Sequence, residues 1–187
     1  MRKGLLTASS VVMVLVLVAC GSSGGPTGAP ATSTTFEFDN AQWVKAGPNP
    51  SGSAKMVCSA EARDDINASL GIKAKKITKP TWVRKDHVYS CDYVYAHGKI
   101  RLDVKEMSSG DETTAYFDQV KEQQGGRQEL QGLGHGAWVL ENGNVLVRKD
   151  YKTLVVDVSD APRIPAMRPS DVAINVANVV MSCWTGY

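Results

Sequence analysis

The chain has 187 residues, with 21 Lys or Arg against 19 Asp or Glu and a formal charge of +2 at neutral pH. That near balance lacks the basic excess that neutralises phosphates, which argues against general nucleic-acid binding. The length suits one domain with a core of its own.

The first residues read as an address. Arg2 and Lys3 precede a mostly apolar stretch from Leu5 to Ala19, and small residues lead into Cys20, the layout of a secretory signal peptide. The strictly apolar part, residues 11–19, is too short to span a membrane, which takes about 20 apolar residues, and matches a signal-peptide core. Leu17-Val18-Ala19-Cys20 resembles the lipobox of bacterial lipoproteins. The resemblance implies that residues 1–19 are a lipoprotein signal peptide cut off by a dedicated peptidase. It also implies that the Cys20 thiolate, the nucleophile of the pair, takes a diacylglyceryl group such as one built on palmitate. Two acyl chains hold stably where one gives marginal binding, because burial yields about 0.8 kcal/mol per CH₂. The expected location is the cell membrane, lipid-anchored at the extracytoplasmic face, with the membrane as partner through diacylglyceryl on Cys20. Losing Arg2 and Lys3 with the leader lowers the basic count from 21 to 19, equal to the 19 acids.

Residues 20–50 read as the lipidated cysteine and a flexible tether. Gly21 to Thr35 holds only Gly, Ser, Pro, Thr and Ala, which cannot bury apolar surface; such a coil spans roughly 20 Å end to end. Phe36 to Val44 is expected to add a short strand, and Gly47 to Ser53 a loop. Residues 51–187 are then a single α+β extracytoplasmic domain. With Cys20 lipidated, Cys58, Cys91 and Cys183 allow three alternative single bridges in a compartment that permits disulfides. The favoured pair is Cys58 with Cys91, joining a helix start to a strand and contributing about 3 to 4 kcal/mol in the chain-entropy model. Cys183 reads as a small buried hydrophobe.

The pattern predicts a helix over 59–70, capped by Ser59, stopped by Gly71, with Ala62, Ile66 and Leu70 as its apolar stripe. Residues 88–95 and 99–107 alternate as strands of a hairpin through His97-Gly98, with Tyr89, Cys91, Tyr93 and Tyr95 on one side. Residues 111–124 read as a helix capped by Asp111 and ended at Gly125. In "AWVLENGNVLVRKDYKTLVVDV", a two-residue Asn142-Gly143 turn sets Leu140 opposite Val145 and Trp138 opposite Val147. A second turn at Tyr151-Lys152 sets Val156 beside Val147 and Val158 beside Val145. Pro162, Pro165 and Pro169 end the sheet, and Ser170 caps a last helix to about Cys183. Its Asp171, Asn175, Asn178 and Ser182 form one polar stripe, so most of its circumference must be buried. The order is α-β-β-α-β-β-β-α: an α+β fold, with an antiparallel sheet of about five strands and helices packed on one face.

Chemical motifs are sparse. "GLGHGA" at 132–137 runs into a strand rather than opening a helix, as a dinucleotide loop must, and reads as a turn. His87, His97 and His135 match no zinc spacing, and the serines lack a G-x-S-x-G elbow. Asp64-Asp65 and Asp111-Glu112 are adjacent on helices and do not face each other. No catalytic residue, metal or cofactor is expected. Lys73, Lys75, Lys76, Lys79, Arg84 and Lys85 put six positive charges and no acid into residues 73–85, with Trp82 among them. This is the candidate binding patch: near an anionic membrane each basic residue contributes about 1 kcal/mol, and a solvated loop is the alternative. Trp82 reads as either a contact or a core residue, and Trp184 as a packing residue closing the sheet edge.

The lipobox, "CSAEA…LG", "YSCDY", "LQGLGHGAW", "VLVRKD…TLVVDV" and the terminal "SCW" together resemble the small secreted lipoproteins of actinobacteria, of mycobacterial and streptomycete types. The resemblance implies a lipid-anchored cell-envelope protein and carries no catalytic residues to transfer. The expected task is non-enzymatic: a binding or accessory domain for an envelope protein, lipid or glycan. The alternatives are a lipid carrier with an apolar cavity, and a hydrolase using His97 or His135 with a nearby carboxylate.

Overall fold

The structure is a computed structural model and describes residues 44–184. The expected signal peptide, Cys20, the Gly/Ser/Pro/Thr stretch and the strand expected over 36–44 lie outside the described residues, save Val44. The described elements run α1 (Gly52–Met56), α2 (Ala60–Leu70), β1 (Lys76–Ile77), β2 (Thr81–Val83), β3 (Val88–Val94), β4 (Lys99–Glu106), α3 (Gly110–Gln123), β5 (Gly126–Leu130), β6 (Gly136–Leu140), β7 (Val145–Lys149), β8 (Lys152–Asp157) and α4 (Pro169–Trp184). The strands form one antiparallel sheet ordered β1-β3-β4-β8-β7-β6-β5, with β2 also paired to β3. The class is α+β, as the pattern predicts.

The five expected strands are β3, β4, β6, β7 and β8, and three more extend the edges. β1 and β2 are two and three residues long, and β5, "GRQEL", is exposed along most of its length. None has an apolar alternation to announce it. They pair because β3 and β6 would otherwise leave backbone donors and acceptors open.

Helix ends follow local chemistry, with two shifts. Ser59 Oγ accepts the Ala62 N–H at 3.1 Å, and Gly71 closes α2 with φ 66°. The α3 cap is Ser109, whose hydroxyl accepts from the Glu112 N–H at 3.2 Å. Asp111, the expected cap, sits in the first turn instead, where its charge still meets the positive helix end. Ser170 likewise lies inside α4, which begins at Pro169, a residue with no N–H to satisfy. Asp171 accepts from the Arg168 N–H at 3.0 Å in place of a Ser170 cap.

The last residues of the expected 20–50 stretch, 46–48, are hydrogen-bonded to the domain. The Ala46 N–H donates to the Met107 carbonyl at 2.9 Å, and the Trp82 indole donates to the Pro48 carbonyl at 3.0 Å, so residues 46–48 already lie on the sheet. Ser51 caps α1 and bonds the buried Glu106 through both its hydroxyl and its N–H.

Both faces of the sheet carry helix. Ile66 and Leu70 of α2 and Val172, Val176 and Val180 of α4 share a core with Tyr93, Leu102, Val147 and Val156. Phe117 and Val120 of α3 pack with Leu140 and Leu146 in a separate cluster. Leu146 points away from its neighbours Val145 and Val147, so α3 covers the opposite face and the expected single helical layer is two. The physical reason is in β6 and β7, where residues on both sides are apolar.

Register departs from expectation in the same place. Val139 faces Val145, Trp138 faces Leu146 and Ala137 faces Val147, one residue off the predicted pairing. The Leu140 N–H bonds the Asn144 carbonyl at 2.9 Å and the Gly143 N–H the Leu140 carbonyl at 2.9 Å, a three-residue loop with Gly143 at φ 86°. Asn142 Oδ1 accepts from the Asn144 N–H at 3.0 Å and fixes it. Trp138 and Leu140 therefore face α3, while Ala137 and Val139 enter the main core. The next turn is Asp150-Tyr151, setting Val145 opposite Val156 and Val147 opposite Leu154. That shift conserves parity, so Val156 and Val158 keep their expected face.

Candidate functional site

Cys58 and Cys91 form a disulfide with Cα atoms 6.0 Å apart, the favoured of the three pairings, tying the α1–α2 junction to β3. Cys183 is only half-buried, a correction to its expected burial; its thiol lies 4.0 Å from the Asp65 carboxylate, and burial raises its pKa. Trp184 is buried in the main core.

The basic run follows one edge of the sheet. Lys76 stands opposite Val94 and Val83 opposite Val88, so the run extends over about 20 Å of strand. Lys73, Lys75, Lys76, Lys79, Arg84 and Lys85 are all exposed, and Lys85 reaches Asp86 only at 3.9 Å. Trp82 is half-buried, stacked on His87 with ring centroids 5.9 Å apart. Lysines and Pro80 on an edge also keep it from pairing with another chain.

At the Lys73 end this edge meets a cleft of about 500 Å³. Three pinned loops build it. The chain leaving α2 is held just after Lys73 by the Ala74 N–H to Asn67 Oδ1 at 2.8 Å and the Lys75 N–H to the Val94 carbonyl at 2.7 Å. The β3–β4 turn closes with the Tyr95 N–H on the Gly98 carbonyl at 3.1 Å, and the Lys99 N–H ties it to Asp160 at 2.6 Å. The third loop is anchored by buried Ile164.

Ile72, Tyr95, Ala96 and Pro162 give the cleft an apolar lining, and Lys73, His97 and Arg163 stand around it with no carboxylate among the lining residues. Tyr95 is 4% exposed, its hydroxyl is buried without a hydrogen-bond partner, and burial pushes its pKa up to about 12. Flanking clefts share Ile72 and Lys73 on one side and Arg163 on the other. Each has a cation already bound to an acid, Arg63 to Asp64 at 2.9 Å and Arg168 to Asp171 at 2.8 Å. The central cleft is the one of these three that Lys73 and Arg163 both line.

The other sequence candidates take different places. His97 shares the cleft with Lys73 and Arg163, and no acid among the lining residues orients it as a base. His135 Nδ1 accepts from the Asp150 N–H at 3.4 Å and its carbonyl from Arg148 at 3.1 Å. Gly134, in "GLGHGA", lies against β7: a Cβ there would sit 2.5 Å from the Arg148 carbonyl oxygen, so glycine serves a close approach of two backbones. Among the described residues no group of three or more His, Cys, Asp and Glu gathers to hold a metal, and no helix is long and apolar enough to cross a membrane.

Arg163, Pro162 and Ile72 carried no sequence signal of a site. They belong to loops about a hundred residues apart at the extremes, and only the run containing Lys73 marked the region. Comparison with known proteins finds no matching family model, curated relative or solved structure.

Proposed function

We propose that the chain is a lipid-anchored lipoprotein of the cell envelope, of the actinobacterial type its motifs resemble, with a non-enzymatic α+β domain that binds an envelope component through the end cleft. Acylation at Cys20 holds it at the extracytoplasmic face of the membrane, and the tether lets the domain reorient there. The observation that carries the reading is clustered positive charge: Lys73 and Arg163, with His97 beside them, line an apolar cleft with no acid among its lining residues. Positive groups gathered beside apolar surface are what an anionic or polar partner recognises.

Two experiments test it. A photo-crosslinking residue at exposed Ala96 should capture a defined envelope species in living cells, and Lys73→Gln with Arg163→Gln should abolish the capture. Identical adducts with and without those substitutions would remove the cleft from the reading. Cys20→Ala should abolish metabolic labelling by palmitate; undiminished label would end the anchor.

A further inference from the structure

We infer, resting on the binding reading above, that the occupant of the end cleft is the headgroup of an anionic membrane phospholipid. Charge is the first ground. Of three adjoining clefts, the central one is lined by both Lys73 and Arg163, with His97 beside them and no acid among its lining residues, while Arg63 and Arg168 of the outer two are paired to Asp64 and Asp171. The planar Arg163 guanidinium suits two phosphate oxygens at once, and Lys73 supplies a compact second charge.

Size is the second. About 500 Å³ accommodates a phosphate with its glycerol and the first ester carbons, and Ile72, Ala96 and Pro162 are apolar surface for those carbons. Acyl chains stay in the bilayer.

Continuity is the third. Lys73 belongs both to the cleft and to the cationic edge that continues through Lys75, Lys76 and Lys79. A run of lysines with no acid in residues 73–85 attracts an anionic surface over a Debye length, and the cleft at its end selects one headgroup from that surface.

The test uses the full chain in neutral detergent, titrated separately with dihexanoyl phosphatidylglycerol, dihexanoyl phosphatidylcholine and inorganic phosphate, and followed by amide NMR shifts at Lys73, Ala96 and His97. Phosphatidylglycerol should saturate those shifts at least tenfold more tightly than either of the others. Lys73→Gln with Arg163→Gln should weaken it tenfold or more with the remaining spectrum unchanged, both side chains being exposed. Lys76→Gln with Lys79→Gln should leave it within twofold while lowering association with vesicles containing phosphatidylglycerol. Equal affinity for phosphatidylcholine, equal affinity for inorganic phosphate, or indifference to the Lys73 and Arg163 substitutions each overturns the inference. A protein adduct at Ala96 alongside any of these would keep the binding reading and change its occupant.

Discussion

The β3–β4 and β6–β7 hairpins are built by the same antiparallel pairing, yet only the first shows its register in its residues. In β4, Ile100, Leu102 and Val104 are fully buried and alternate with half-exposed Lys99, Arg101, Asp103 and Lys105. The polar side is bound up in its own contacts: Lys99 to Asp92 at 3.1 Å, Arg101 to Asp103 at 3.0 Å and Arg101 to Ser90 at 3.1 Å. A slip of one residue would bury four charged side chains, which no packing gain offsets. In β7, Val145, Leu146 and Val147 are all fully buried. A slip there exchanges one apolar set for another, so the decision passes to the loop, where Asn142 and Gly143 choose three residues over two.

Substitutions can break this contrast, starting with the largest effect. Leu146→Asp would put a carboxylate between α3 and the sheet, and should cost more than about 4 kcal/mol or prevent folding. Asp103→Leu, at the matching position of the other hairpin where the side chain is still partly exposed, should change stability by less than about 1 kcal/mol. Urea unfolding followed by tryptophan fluorescence compares the two; similar costs would refute the difference between the hairpins. Next, Cys58→Ser with Cys91→Ser frees the helical layer from the one-sided hairpin and should lower stability by about 3 kcal/mol. A value near zero would mean the bridge adds nothing to the contacts around it.

The turn comes next. Gly143→Ala places a Cβ at φ 86° and should cost about 1 kcal/mol, less if the loop re-forms as the two-residue turn. Exchange protection of the Leu140 and Leu146 amides would report any such slip.

The smallest contrast is between two tyrosines on the same face. Tyr93 donates to the Val57 carbonyl, so Tyr93→Phe should cost about 1 kcal/mol. The Tyr95 hydroxyl has no partner, so Tyr95→Phe should be neutral or slightly stabilising at pH 7. Burial holds the Tyr95 proton up to about pH 12 against an ordinary value of 10.0. The unfolded chain loses that proton first, so this group's stabilising contribution is complete below pH 10 and is lost as pH rises toward 12. Stability of Tyr95→Phe should fall less steeply over that interval; an unchanged slope would contradict the burial.

The candidate site was legible only at one corner. Lys73 stood in a visible basic run and His97 in a visible turn, but Arg163 sits in a proline-rich loop with no motif. The three meet because the Lys75 N–H bonds Val94 and the Lys99 N–H bonds Asp160. Backbone hydrogen bonds of that kind are open to any residue type and leave no trace in the pattern.

Local information alone determined the α+β class, the order of the main helices and strands, the Ser59 and Gly71 ends of α2, and the inward face of β3 and β4. Caps act within one turn, and alternation against charge has a single low-energy solution. Tertiary structure decided which side α3 covers, how β6 registers on β7, and which cations gather at the end cleft. Where both sides of a strand are apolar, its own residues are nearly degenerate in energy, and only the helix or loop that packs there separates the alternatives.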